Sequence, residues 1–129
     1  MLSRTADSLY WLSRYVERAE NLARILGVAE RLSTLPSAYA GTSSAWESAI
    51  LTAACGPAFF NNYSEATRAN VIEFIVASDA NSSSIRNCIQ TARANARAVR
   101  TAITTEMWEI INGCWHEVQK FKLCLLYTS

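Results

Sequence analysis

The stretch that most constrains this chain is its first: from Ser3 or Thr5 to about Leu32 it holds strong helix formers, no proline, and a single glycine, Gly27, near its end. Such a run predicts one long helix. Within it Leu9, Leu12, Val16, Ala19, Ala23 and Leu26 follow a 3-4-3-4-3 spacing, the seam along which one helix lies against another. A second, less regular apolar strip holds Trp11, Tyr15, Leu22, Ile25 and Ala29. Two strips imply neighbours on two sides, leaving the line Ser13, Glu17, Glu20 and Arg24 to solvent.

The rest of the chain reads as further helices separated by loop chemistry. Pro36, Gly41 and several serines and threonines between Ser33 and Ser44 mark a connection. Ser43 or Ser44 is expected to cap a second helix that runs to about Ala54 and is stopped by Gly56-Pro57. A third helix starts at Ser64 or Thr67 and passes through Val71, Ile72, Phe74, Ile75 and Val76. The polar run Ser78 to Ser84 predicts a turn and an N-cap. The fourth helix, about Ser82 to Ala102, carries the core line Ile85, Ile89, Ala92, Ala96, Val99 and Ile103. Thr104-Thr105 then marks the start of a fifth helix reaching Gly113 or somewhat beyond. Only Phe74 to Val76 gives a weak strand signal. The expected class is all-α, an antiparallel bundle of four or five helices.

Composition bounds the function. One domain suits 129 residues, and no apolar run approaches the length of a membrane span. The amino terminus has no secretory pattern, so cytoplasm is the expected compartment. Twelve basic against eleven acidic residues create no long-range field for nucleic acid or anionic lipid, so neither is an expected partner. Cys55, Cys88, Cys114 and Cys124 form no C-x-x-C pair, and His116 is the only histidine. Buried free thiols, rather than a metal site or a disulfide, are the expectation. No phosphate-cradling glycine loop and no H-E-x-x-H motif occur, so no cofactor is expected and no catalytic set can be assigned.

Two groups of residues could nevertheless carry chemistry. On the first helix Arg14, Arg18 and Asn21 share a face with Glu17 at its edge, close enough for i,i+3 and i,i+4 contacts. Arg18 falls among Trp11, Tyr15, Leu22 and Ile25, so it is expected to be partly buried and to need a carboxylate or an anionic ligand. On the fourth helix Arg86, Arg93, Arg97 and Arg100 form a strip, with Gln90 on the same face and Asn95 nearby. No acidic residue lies between Asp79 and Glu106, so these arginines must meet solvent, carboxylates of other helices, or a bound anion. The first and fourth helices carry the longest seams, which predicts that they are neighbours, with Glu17 or Glu20 facing Arg93, Arg97 or Arg100. Trp46, Trp108 and Trp115 are expected in the core or at helix interfaces rather than on a cofactor.

Three ordered segments carry a family resemblance. The opening MLSRTADSLYWLSRYVERAENLARIL, with its Glu17-Arg18 pair, the helix SSSIRNCIQTARANARAVRTAI and the following TTEMWEIIN together resemble the bacterial alpha-E domain family, over most of residues 1 to 112. The chain departs from that pattern at Ala94, where the family more typically has glutamate, and after Gly113. The resemblance implies an alpha-E domain over 1–121 that is the amino-terminal part of a larger helical domain; residues 122–129, with neither helical charge spacing nor a cap, read separately as a non-native tail. It also implies association with circularly permuted ATP-grasp proteins and transglutaminase-like proteins, hence with peptide synthesis or modification. Three roles follow as expectations: an accessory or interaction module of that system; an enzyme in which Glu17 is the acid or base and nearby arginines hold an anionic substrate; or a domain that binds an anionic peptide or other anionic ligand without turnover. The candidate binding residues are Arg14, Glu17, Arg18, Asn21, Arg93, Asn95, Arg97 and Arg100.

Overall fold

The proline-free opening forms one uninterrupted helix, α1 (Leu2–Ser33). The computed structural model describes residues 2–35 and 45–128. Among them follow α2 (Ala45–Thr52), α3 (Gly56–Asn62), α4 (Arg68–Ile72) running into a π-helical turn (Glu73–Ala77), α5 (Ile85–Ala98) and α6 (Thr105–Thr128). The chain is all-α, and no strand occurs among the described residues. The expected cap at Ser43 or Ser44 lies outside them.

α5 lies along α1, as the two seams predict. Leu12 packs with Ala92 and Ala96, whereas Ile85 at the other end of α5 joins the cluster containing Leu22, so the two helices are antiparallel. Cys88, Ala92 and Ala96, one turn apart, are fully buried. Side chains this small let two helices approach closely, and the close approach leaves little room for anything larger.

The two halves of α1 meet different neighbours. Its amino-terminal half contributes Leu12 to a small cluster with α5, edged by Tyr15, Trp108 and Ile111. Its carboxy-terminal half contributes Leu22 and Ala29 to a larger core with Trp46 and Ile50 of α2, Phe59 of α3, and Val71, Phe74 and Ile75. Phe59 stands edge-on to Phe74 with ring centroids 5.4 Å apart and stacks on Tyr63 at 5.0 Å. An ion pair between Arg68 and Glu30, 2.9 Å apart, ties α4 to α1 at the rim of this core.

The connections explain where helices begin and end. Gly56-Pro57 does not stop α2: Pro57 opens α3, where its missing N–H costs nothing. The stop comes earlier. The Cys55 N–H donates to the Ile50 carbonyl and the Ala54 N–H to that of Leu51, a reversal that places Ala54 at φ 57°, in the left-handed region. The weak strand signal at Phe74 to Val76 is a π-helical turn instead, and the buried Asn81 side chain donates to the Phe74 carbonyl that this turn exposes. Ser84 caps α5 by accepting from the Asn87 N–H, and Thr67 caps α4 by accepting from that of Asn70. α5 ends at Ala98 rather than Ala102, where Val99, Thr101, Ile103, Thr104 and Thr105 crowd the segment with β-branched side chains that lose rotamer freedom in a helix. The Thr104 hydroxyl then accepts from the Met107 N–H and starts α6.

α6 continues well beyond Gly113, to Thr128. A glycine inside a helix costs about 1 kcal/mol. Trp115, Val118, Gln119 and Lys122 beyond it are half-buried, and that packing offsets the loss.

Ala54 supplies a direct check on the α2 reversal. Replacing it with glycine removes the left-handed penalty of an L side chain, so Ala54→Gly should stabilise the protein by about 0.5–1 kcal/mol despite added freedom in the unfolded chain. Thermal denaturation followed by circular dichroism would show a raised Tm. Ala92→Leu, which forces extra volume between α1 and α5, should destabilise by about 1–3 kcal/mol in the same assay.

Candidate functional site

The arginines of α5 do not face α1. The residue after a buried alanine is turned about 100° around the helix, so Arg93 follows Ala92 onto a different face, and that face meets α6. There the guanidinium groups interleave with two indoles. The Cζ of Arg100 lies 5.5 Å from the Trp108 ring centre, that of Arg93 5.8 Å from both Trp108 and Trp115, and that of Arg86 5.6 Å from Trp115. Arg93 Nε donates to Asn112 Oδ1 at 2.8 Å, and Arg86 Nε to Gln119 Oε1 at 2.9 Å. Arg86, Arg93 and Arg100 are seven residues apart, as are Trp108 and Trp115, and Asn112 and Gln119. Seven residues bring a helix back to within about 20° of the same direction, so the two antiparallel ladders stay in register.

Arg97 stands four residues from Arg93, which turns it about 40° away from the ladder and leaves it exposed. Asn95 donates to the Thr91 carbonyl of its own helix at 2.9 Å. Of the four expected arginines, three are therefore engaged by α6 and one faces solvent.

At one end of the ladder Arg86 Nη1 lies 3.3 Å from Asp79 Oδ1, and Lys122 Nζ lies 3.0 Å from both oxygens of the same carboxylate. The hydrogen bonds from Lys122 and its charge, with a smaller contribution from Arg86, hold the Asp79 carboxyl below the usual carboxylate range.

The α1 candidates lie on an outer face that no other element covers among the described residues. Arg14 Nη1 is 3.6 Å from Glu17 Oε2, and Glu20 pairs with Arg24 one turn on. The expected pairing of Glu17 or Glu20 with Arg93, Arg97 or Arg100 across the seam is not formed, because each acid is met by an arginine of its own helix. Arg18 is exposed rather than partly buried, its Cζ 5.2 Å from the Tyr15 ring centre. α2 meets the core through the Leu22–Ala29 half of α1, which leaves Arg18 and Trp11 exposed among the described residues. Arg14, Arg18, Asn21 and Arg24 border a shallow depression of about 430 Å3, with Glu17 and Glu20 on its edge. All six side chains come from one helix, and among the described residues no opposing wall closes the space. The two candidate groups are thus separate: an exposed set on α1 and an engaged set between α5 and α6.

The tryptophans behave as expected, Trp46 in the core and Trp108 and Trp115 at the α5–α6 interface. The thiols divide. Cys88 is buried and Cys55 half-buried, and burial pushes both pKa values up, partly offset at Cys88 by the Arg18 charge. Cys114 and Cys124 are exposed rather than buried, because α6 is an edge helix and both lie off its inward stripe. Among the described residues no three or more His, Cys, Asp or Glu side chains gather as a metal site, and no helix is long and apolar enough to cross a membrane.

Two measurements follow. Arg93→Ala should cost about 1–2 kcal/mol, through lost stacking and an orphaned Asn112, whereas Arg97→Ala should stay within about 0.5 kcal/mol of the parent; denaturant unfolding compares them. Because the folded pKa of Asp79 is depressed, its contribution to stability is present above the ordinary carboxylate pKa and lost as pH falls through the folded value. NMR titration should find Asp79 below that ordinary value, and Lys122→Met should return it most of the way.

Residues 1–127 match the model of a family described as Alpha-E, a predicted alpha-helical domain with a conserved ER motif. No curated protein and no solved structure matches the chain. The sequence holds two Glu-Arg pairs, both on α1. Glu17-Arg18 lies on the outer face, while in Glu30-Arg31 the acid bridges to Arg68 and the arginine donates to the Gly27 carbonyl. With the match running from end to end of a helical chain that carries this motif, the protein belongs to the Alpha-E family.

Proposed function

We propose that this chain is a helical interaction module of an ATP-grasp-linked system for peptide synthesis or modification, working in the cytoplasm and docking to the ATP-grasp protein, with a transglutaminase-like protein as a further partner. The association is what membership of the family implies. The observation that carries the module reading is where the polar chemistry sits. The arginine ladder is occupied by indoles and amides of α6, Arg97 stands alone in solvent on α5, and the remaining candidate acid and arginines stand on one convex helix. Catalysis gains from enclosing a reactant among groups held on several elements, and a single exposed helix face gives neither enclosure nor a second point of attachment.

A second reading has one observation in its favour. Arg14, Arg18 and Arg24 outnumber Glu17 and Glu20 around the α1 depression, and guanidinium forks suit carboxylate or phosphate. Saturable chemical-shift changes confined to these residues on titration with inorganic phosphate would favour it over the module.

The test is co-purification of the tagged chain with its ATP-grasp partner, followed by peptide-product analysis with Glu17→Gln. The expected result is a stable complex whose product is unchanged by that substitution, and no ATP hydrolysis by the isolated chain. Product lost while the complex stays intact would make Glu17 catalytic and overturn the reading.

A further inference from the structure

A groove of about 550 Å3 runs between α1 and the first turns of α6. Leu9, Leu12 and Val16 form one wall, and Met107, Ile110 and Ile111 the other. Val16 is 38% exposed, Met107 44% and Ile110 66%, so the apolar residues at its mouth face water. From Leu9 to Glu20 the lined length is about 16 Å, three turns.

The charge around the groove narrows the occupant. Among the described residues the charged ones lining it are Glu17 and Glu20, on its α1 edge. Their partners Arg14 and Arg24 border the depression on the other side of that ridge and do not line the groove. On α6 the ionisable residues beside this stretch are Glu106 and Glu109, both exposed; the basic residues His116, Lys120 and Lys122 lie further along the helix. A second copy presenting the same groove would set these carboxylates against their equivalents, which disfavours self-pairing. Exposed apolar walls with an acidic border fit an amphipathic helix with basic flanks.

We infer that the α1–α6 groove is the docking site for a partner's amphipathic helix of about three turns, with apolar residues at i, i+3 or i+4 and i+7 and lysine or arginine on its flanks. The inference rests on the module reading and names the surface that reading requires. Glu17 thereby gains a role that needs no chemistry: it sits on the ridge and pairs with the incoming base.

The experiment uses the whole chain and two synthetic 14-residue helical peptides with the same leucine spacing, one flanked by lysine and one by glutamate. The lysine peptide should bind at least about tenfold more tightly, with hydrogen-exchange protection at the groove. Ile110→Asn, at an exposed position, should weaken it about tenfold with the circular dichroism spectrum unchanged. Glu17→Lys/Glu20→Lys should invert the preference. Equal binding of both peptides, indifference to Ile110→Asn, or a concentration-dependent dimer that protects the groove without peptide would overturn the inference. If these hold but no complex forms with the ATP-grasp protein, the groove stands and the module's assignment to that system fails. If the complex forms but ignores Ile110→Asn, the module stands and the groove falls.

Discussion

Three guanidinium groups, Arg86 and Arg93 on α5 and Arg100 in the turn after it, have no acid on that helix, and half of this molecule depends on how they are accommodated. Arg86, Arg93 and Arg100 sit against α6, where full desolvation without partners would cost several kcal/mol per charge. Indole faces and amide oxygens accommodate them, with a carboxylate only at Arg86, which also meets Asp79. A guanidinium is flat and weakly hydrated, so it stacks on Trp108 and Trp115 while its Nε reaches Asn112 or Gln119. None of the residues on α6 whose side chains are described is fully buried, so this ladder, with the Asp79–Lys122 pair, carries much of what holds the helix in place.

The position of α6 in turn creates the surface on which the functional reading rests. By turning its Trp108–Lys122 stripe toward α5, the helix leaves Met107 and Ile110 facing outward beside Val16 of α1. The groove is a consequence of the ladder's register: a rotation of α6 by one residue would bury Met107 and expose a tryptophan. The ladder also engages Arg86, Arg93 and Arg100, so that among the described residues arginines gather in the open on the Arg14–Arg24 face of α1.

Much of this was legible in the residues. The seams of α1 and α5 predicted two long neighbouring helices, and Ala92, Ala96 and Val99 are buried as their spacing requires. Short polar side chains predicted the caps at Thr67 and Ser84. The π-helical turn was not legible, because Phe74, Ile75 and Val76 are an apolar run that spacing alone cannot assign. α3 was hidden by Gly56-Pro57, which reads equally as an end and as a beginning. The fate of the arginines was missed because acids were sought as their partners. The signal was present in the shared seven-residue repeat of arginine, tryptophan and amide across α5 and α6. Arg18 was misplaced because apolar neighbours in sequence do not tell which part of a long helix its partners will cover.

The central claim is that the arginine strip is structural and couples α5 to α6, not to α1. A double-mutant cycle on Arg93 and Trp108, set beside one on Arg93 and Glu17, measures this directly. The account predicts a coupling of about 0.5–1 kcal/mol or more for Arg93 with Trp108 and one within experimental error of zero for Arg93 with Glu17. The reverse pattern would place the arginines across the α1 seam and contradict it.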